Sequence, residues 1–164
     1  MDGQGFNYFE NSRYIDNRIQ RKTLIVDVDI GATTDISETL KEPISINKES
    51  EIYLDSFTTY GAFLNTGAAN ANMGFLLNIN EFPVQTISTK QGQNGKIIIP
   101  NEDTGGTDKV VVHKGKKLNY ICSINPTKIT KITGSITNLA GTGEMFAGAD
   151  GRFIAEFTIV SKKD

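Results

Sequence analysis

Two side chains of this sequence could act as a nucleophile and a base, Cys122 and His113, and each residue type occurs once. A hydrolytic triad needs its base within hydrogen-bond reach of the nucleophile, and a cupin-type metal site needs several histidines. His113 lies beside three lysines near an expected turn, which predicts a solvated hairpin histidine. Cys122 shares a predicted strand face with Leu118, Tyr120 and Ile124. Apolar burial raises the pKa of a thiol, so we expect an unreactive core cysteine.

Carboxylates form the next candidate group. Asp27 and Asp29 share the outward face of one predicted strand, and without a third partner nearby in sequence we expect both to be solvated. The segment Asn101–Asp108 contains enough oxygen ligands for Ca²⁺, but it lacks the regular D-x-D-x-D-G spacing. Two glycine-rich segments, Gly61–Gly74 and Gly141–Gly151, lack both the P-loop pattern and a following helix. We therefore predict no catalytic, metal or cofactor site, and no enzyme activity.

The elements that hold these residues are predicted to be β-strands. Apolar and polar residues alternate with a period of two along much of the chain, and no pattern of helical period has comparable length. The 20 Ile and 17 Thr against 8 Leu are typical of pleated sheets. Four strand faces are expected to line one core: Leu24/Val26/Val28/Ile30, Phe75/Leu77/Ile79, Leu118/Tyr120/Cys122/Ile124 and Phe153/Ala155/Phe157/Ile159.

Turn signals indicate how these strands are connected. Asn94-Gly95 predicts a type I′ hairpin between Val84–Lys90 and Lys96–Ile99. Gly115 predicts a second hairpin, between Val110–His113 and Leu118–Ile124. The connections are too short for the crossover helices of a parallel sheet. We predict an all-β fold, an antiparallel two-sheet sandwich of the single jelly-roll type with about eight strands.

Length and charge narrow the function classes. The 164 residues suit one domain with its own core. A net charge of −2, with only the short basic pairs Lys116-Lys117 and Lys162-Lys163, predicts no direct nucleic-acid binding. No run approaches the roughly 20 apolar residues of a membrane span, and no signal-peptide pattern is present. A single cysteine and the lack of an N-glycosylation acceptor favour a reducing, cytosol-like compartment.

Residues 1–22 are predicted to form an extended N-terminal arm, and residues 23–164 the jelly-roll domain. The arm lacks strand-like alternation but contains four aromatic residues and three of the four arginines in the chain. Arg and Tyr are enriched at protein interfaces, and a solvated tail is the alternative, since termini fray unless something holds them. The candidate interaction residues of the arm are Phe6, Tyr8, Phe9, Arg13, Tyr14, Arg18 and Arg21.

The body resembles a known family in the segments Ile52–Thr59, Ile97–Glu102, Asn119–Pro126, Ile132–Thr137 and Arg152–Phe157. They are similar to the small single-jelly-roll capsid proteins of nucleocytoplasmic large DNA viruses, above all to the vertex (penton) proteins. The resemblance covers roughly residues 23–160 and rests on the texture and order of the strands. It implies a virion protein assembled in the host cytoplasm that forms a homopentamer at the icosahedral vertex. Its partners would be copies of itself and the neighbouring major and minor capsid proteins.

Two other roles stay open. The chain could be a minor capsid protein elsewhere in the shell, or a jelly-roll carbohydrate-binding module. The second role usually requires exposed aromatic residues, Trp especially, that stack on sugar rings, and this chain has no Trp.

Overall fold

The computed structural model describes residues 19–63, 70–102, 110–113, 119–146 and 148–162. Within them the chain forms nine strands and one short 3-10 helix, Asn70–Met73. The strands are β1 (Ile19–Val28), β2 (Asp35–Ile46), β3 (Ser50–Tyr60), β4 (Gly74–Ile79), β5 (Ile97–Pro100), β6 (Val110–His113), β7 (Asn119–Ile124), β8 (Thr127–Asn138) and β9 (Arg152–Lys162).

The strands belong to two antiparallel sheets that pack face to face. Sheet I has the order β1-β9-β3-β6, with β7 also paired to β3, and sheet II has the order β2-β8-β4-β5. The pairing is nested: β1 pairs with β9, β2 with β8, β3 with β6 and β7, and β4 with β5. A long hairpin that folds over on itself in this way produces a jelly roll. The predicted sandwich is confirmed.

Period-two alternation places one core between the sheets. The faces predicted on β1, β4 and β9 are buried, and Ile30 just beyond β1 is buried with them. Phenylalanines occupy the centre, with ring centroids 5.3 Å apart for Phe57 and Phe75 and 5.1 Å apart for Phe82 and Phe157. Such edge-to-face pairs add about 0.5–1.5 kcal/mol each to the burial of apolar area.

The predicted face of β7 is wrong at Tyr120, which is 52 % exposed. Ile52 of β3 pairs with Cys122, while the next residue, Tyr53, pairs with Tyr120. Ile121 is therefore an extra residue in a β-bulge, and a bulge reverses the side on which the following side chains lie. Ile121 and Cys122 are both buried as a result. Leu118, the remaining member of this face, lies outside the described residues.

The hairpin predicted at Gly115 is also wrong. β6 and β7 both pair antiparallel with β3, on the side of β3 that is opposite β9. They therefore run in the same direction, one after the other along a single edge, as two parts of one interrupted strand. Counted in this way, the jelly roll has eight strands. Residues 114–118, which connect the two parts, lie outside the described residues.

The strand predicted at Val84–Lys90 is absent. The Asn94-Gly95 turn forms, with Gly95 at φ +70° and the Lys96 N–H donating to the Gln93 carbonyl over 3.3 Å, but the predicted hairpin does not, because only its second strand is present. Local side chains occupy backbone groups that a sheet ladder would need, because the Ser88 N–H donates to Asn94 Oδ1 and the Lys90 N–H to Ser88 Oγ. Such bonds stabilise a compact loop in place of a strand.

Candidate interaction site

The connections that follow β1, β3, β5 and β8 all leave the sandwich at one end, here called the loop end. Short backbone contacts tie them together. The Gly31 N–H donates to the Gly151 carbonyl over 2.9 Å, and the Phe63 N–H donates to the Met145 carbonyl over 2.7 Å. A Cβ at Gly151 would lie 2.7 Å from that of Phe146, so glycine is required for this close approach. These contacts hold the described parts of the loop end, here called the platform, against one another.

Asn101, the first residue of the oxygen-rich segment, helps to hold this platform. It is buried, and its side-chain amide donates to the carbonyls of Phe63 and Asn72, each over 2.9 Å. An amide used in this way joins the connection after β5 to two points of the connection between β3 and β4. No cluster of three His, Cys, Asp or Glu side chains suited to a metal ion occurs among the described residues. Residues 103–108 of the segment lie outside them.

A groove of about 680 Å³ opens on the outer face of sheet I at the loop end. Its walls come from β3, β6, β9 and the two connections that contribute carboxylates. The lining side chains include Asp29, Thr58, Tyr60, Val110, Asp150 and Arg152. The groove therefore combines apolar surface with carboxylates and one guanidinium.

An ion pair that the sequence did not predict borders the groove. The guanidinium of Arg152 donates to both carboxylate oxygens of Asp27, over 2.7 and 2.5 Å, and its Nε lies 3.9 Å from Asp29. Hydrogen bonding to Arg152 lowers the pKa of Asp27. The side chain of Asp29 is 90 % exposed, so the expectation of a solvated carboxylate is confirmed there. The partner was missed because it lies 125 residues away in the sequence.

The outer face of sheet I also carries exposed branched apolar side chains. Ile25 on β1 is 58 % exposed, and Val110 and Val112 on β6 are 59 % and 61 % exposed. They lie on the two outermost strands of the sheet, on either side of β9 and β3. Because β9 and β3 lie between them, Ile25 does not form one contiguous apolar patch with the two valines, and scattered exposed apolar side chains are common on protein surfaces.

His113 is a core residue, and the prediction of a solvated hairpin histidine is wrong. It is 3 % exposed and contacts the rings of Phe57 and Phe75, with centroids 5.4 and 4.9 Å away. Its Nε2 lies 2.7 Å from Thr59 Oγ1, and its Nδ1 accepts the Glu102 N–H over 3.3 Å. Because Nδ1 accepts, the proton is assigned to Nε2. Alternation on β6 places His113 on the inward face together with Val111. The lysines that follow in the sequence had suggested an exposed position.

Neither reactive residue type is accessible to a substrate. Thr59 and His113 form a hydroxyl–imidazole pair, but both are buried beneath the sheet. Cys122 is buried too, and burial raises its pKa to about 11, as expected for an unreactive core thiol. Thr59, His113 and Cys122 are therefore core residues.

Of the seven candidate interaction residues of the arm, the structure describes Arg21 alone. It is exposed on β1 and pairs in register with Val160 of β9, since β1 begins at Ile19 inside the predicted arm. The other predicted residues, Phe6, Tyr8, Phe9, Arg13, Tyr14 and Arg18, lie outside the described residues.

Comparisons with protein-family models, curated proteins and solved structures found no match to this chain. Its described part contains no helix with the length and apolar character of a membrane span.

Proposed function

We propose that the chain is a structural virion protein, a capsid vertex (penton) subunit that forms a homopentamer at icosahedral fivefold axes. The observation that carries this proposal is the nested jelly-roll strand order in segments that resemble capsid proteins of large DNA viruses. Jelly rolls occur both in viral capsids and in lectins, so the fold is compatible with both roles. The resemblance of the strand segments to capsid proteins favours the first.

The chemistry of the described residues supports a structural role over a catalytic one. The imidazole and the thiol are buried, and the guanidinium of Arg152 is held by Asp27 on the surface. These groups contribute to stability and to contact surfaces, and the proposed function uses no cofactor and no metal.

A closed ring repeats one heterologous contact, so two different faces of each copy must fit together. We expect each contact in the pentamer to bury more than about 1,000 Å². Further partners would be the neighbouring major and minor capsid proteins in the virion capsid, which is assembled in the host cytoplasm. The aromatic and arginine residues of the arm, including Tyr14 and Arg18, would dock on such a neighbour.

Native mass spectrometry of the purified chain, followed by localisation in the assembled particle, tests the proposal. A fivefold species and density at the vertices are the expected results. Density only at twofold or threefold positions would assign the chain to the minor capsid proteins. A monomer that binds glycans would instead favour the carbohydrate-binding alternative and overturn the capsid role.

A further inference from the structure

In the described part of the chain the two sheets have four edges, and three of these edges carry a feature that limits pairing with another chain. β2 has a register shift between Thr39 and Ile44, and it contains Pro43, which has no N–H to donate. β5 is four residues long and ends at Pro100, and the edge beside β3 is divided between the short strands β6 and β7. Bulges, prolines and short strands all protect a sheet edge from other chains.

β1 forms the fourth edge and has none of these features. Its ten residues include no proline, and they pair with β9 in an unbroken register from Ile19 opposite Lys162 to Val28 opposite Phe153. Among the described residues no strand pairs with the other side of β1. Every second residue of such a strand directs its backbone N–H and C=O away from the paired neighbour. β1 therefore offers a regular row of hydrogen-bonding groups to another strand.

The exposed face of β1 carries opposite charges toward its two ends. Arg21 lies near the start, Ile25 lies in the middle, and Asp29 follows the last residue of the strand. If two copies of β1 run antiparallel with Ile25 opposite Ile25, Arg21 of each copy lies opposite Asp29 of the other, because both are the same number of residues from the centre. Two copies that run parallel and in register would instead place like charges side by side. The charges therefore favour an antiparallel contact with a second copy.

A contact between Arg21 and Asp27 would need a different register. The carboxylate of Asp27 already accepts two hydrogen bonds from Arg152 of its own chain, whereas the side chain of Asp29 is 90 % exposed. The register centred on Ile25 leaves the ion pair of Asp27 in place. It also sets the exposed side chain of Ile25 against the same side chain of the second copy.

We propose that β1 binds β1 of a second copy of this chain, antiparallel and with Ile25 opposite Ile25. Backbone hydrogen bonds between the two edges supply the attraction, and two pairs of Arg21 with Asp29 fix the direction and the register. The contact is isologous, so it joins two copies about a twofold axis. It goes beyond the proposed function, because a fivefold ring repeats a heterologous contact and the β1 contact would join copies from separate rings.

Charge reversal in the full-length chain tests this contact. Arg21→Asp and Asp29→Arg are prepared as two separate variants. Each variant alone places two pairs of like charges in the contact, and it should associate at least about tenfold more weakly than the natural chain. An equimolar mixture of the two variants should recover association to within about threefold, because each mixed contact again has an acid opposite a base at both positions. Sedimentation velocity across protein concentration measures the association.

Lys90→Asp provides a matched charge reversal in the connection between β4 and β5, and it should leave association unchanged. Circular dichroism and thermal melting confirm that each variant is folded. If the mixture associates no more tightly than either variant alone, the two β1 strands do not meet and the proposal is overturned.

The natural chain separates this contact from the vertex role. A chain that shows no concentration-dependent pairing up to about 100 μM, whether as monomers or as rings, overturns the β1 contact, and rings would still keep the proposed function. A dimer that shows the recovery and forms no ring would keep the contact and reject the pentamer.

Discussion

Acidification should weaken the fold through the buried imidazole of His113. Burial lowers the pKa of this group from 6.5 to about 4, and the Pro100 carbonyl and the charge of Glu102 offset only part of that effect. Protonation would also place a hydrogen on Nδ1, which faces the Glu102 N–H. Two donors would then point at each other inside the core, so the folded state resists the proton.

The magnitude follows from the difference between the two states. Well above pH 6.5, the ordinary pKa of the group, the imidazole is neutral in both states and pH has almost no effect through it. As the pH falls below that value the unfolded chain binds a proton that the folded chain refuses, so stability is lost until the folded group titrates at about 4. The lowered pKa corresponds to a loss of about 3 kcal/mol when complete and about 2 kcal/mol at about pH 5.

Urea unfolding of the natural chain and of His113→Gln, each at about pH 7 and about pH 5, measures this term. Glutamine keeps a polar group near Thr59 but does not titrate, so carboxylates shared by both chains cancel in the comparison. The free energy of unfolding of the natural chain should fall by about 2 kcal/mol more than that of the variant. If both chains show the same pH dependence, the imidazole is not held neutral in the core and the reasoning fails.

Three further perturbations probe the core, the sheet and the arm. Phe157→Ala should cost about 3–5 kcal/mol in chemical unfolding, because the ring is fully buried against Phe82, and a loss below about 1 kcal/mol would contradict the proposed core. Gly134→Ala should lower the free energy of unfolding by more than about 2 kcal/mol, because the added Cβ would lie 1.8 Å from the Asn78 carbonyl oxygen. Thermal melting measures the change, and a variant as stable as the natural chain would refute that close approach. Deleting residues 1–18 should change the thermal stability of the monomer by less than about 0.5 kcal/mol and weaken incorporation into shells, whereas deletion through Lys22 should cost more because it removes part of β1. Limited proteolysis should remove residues 1–18 from the free subunit and spare them in shells, and equal resistance in both would place the arm in the fold of its own subunit.

Local alternation was sufficient to predict the fold class and most of the core. The faces on β1, β4 and β9 are read correctly because the side a strand residue takes depends on its immediate neighbours. Cys122 was placed correctly for the same reason. The sequence also predicted the turn at Gly95, since a positive φ is a property of a few residues.

Pairing between strands that are far apart in the sequence determines the features that alternation predicted wrongly. Tyr120 is exposed because β3 opposes it across a bulge, and a bulge appears only when the two strands are aligned. β6 and β7 share one edge because β3 offers a continuous ladder to both, although the glycine between them predicts a hairpin. The segment after Pro83 is a loop because its own side chains satisfy its backbone more readily than a sheet edge does.

The candidate interaction site belongs almost wholly to the tertiary structure. Asp27, Asp29 and Arg152 are visible in the sequence only as isolated charges. The antiparallel pairing of β1 with β9 brings Arg152 against Asp27, across 125 residues of sequence. Alternation within a strand states which side chains leave the core, because that depends on the geometry of adjacent residues. It cannot predict which side chains they contact, because each such contact joins residues that are far apart in the sequence and come together only when the chain folds.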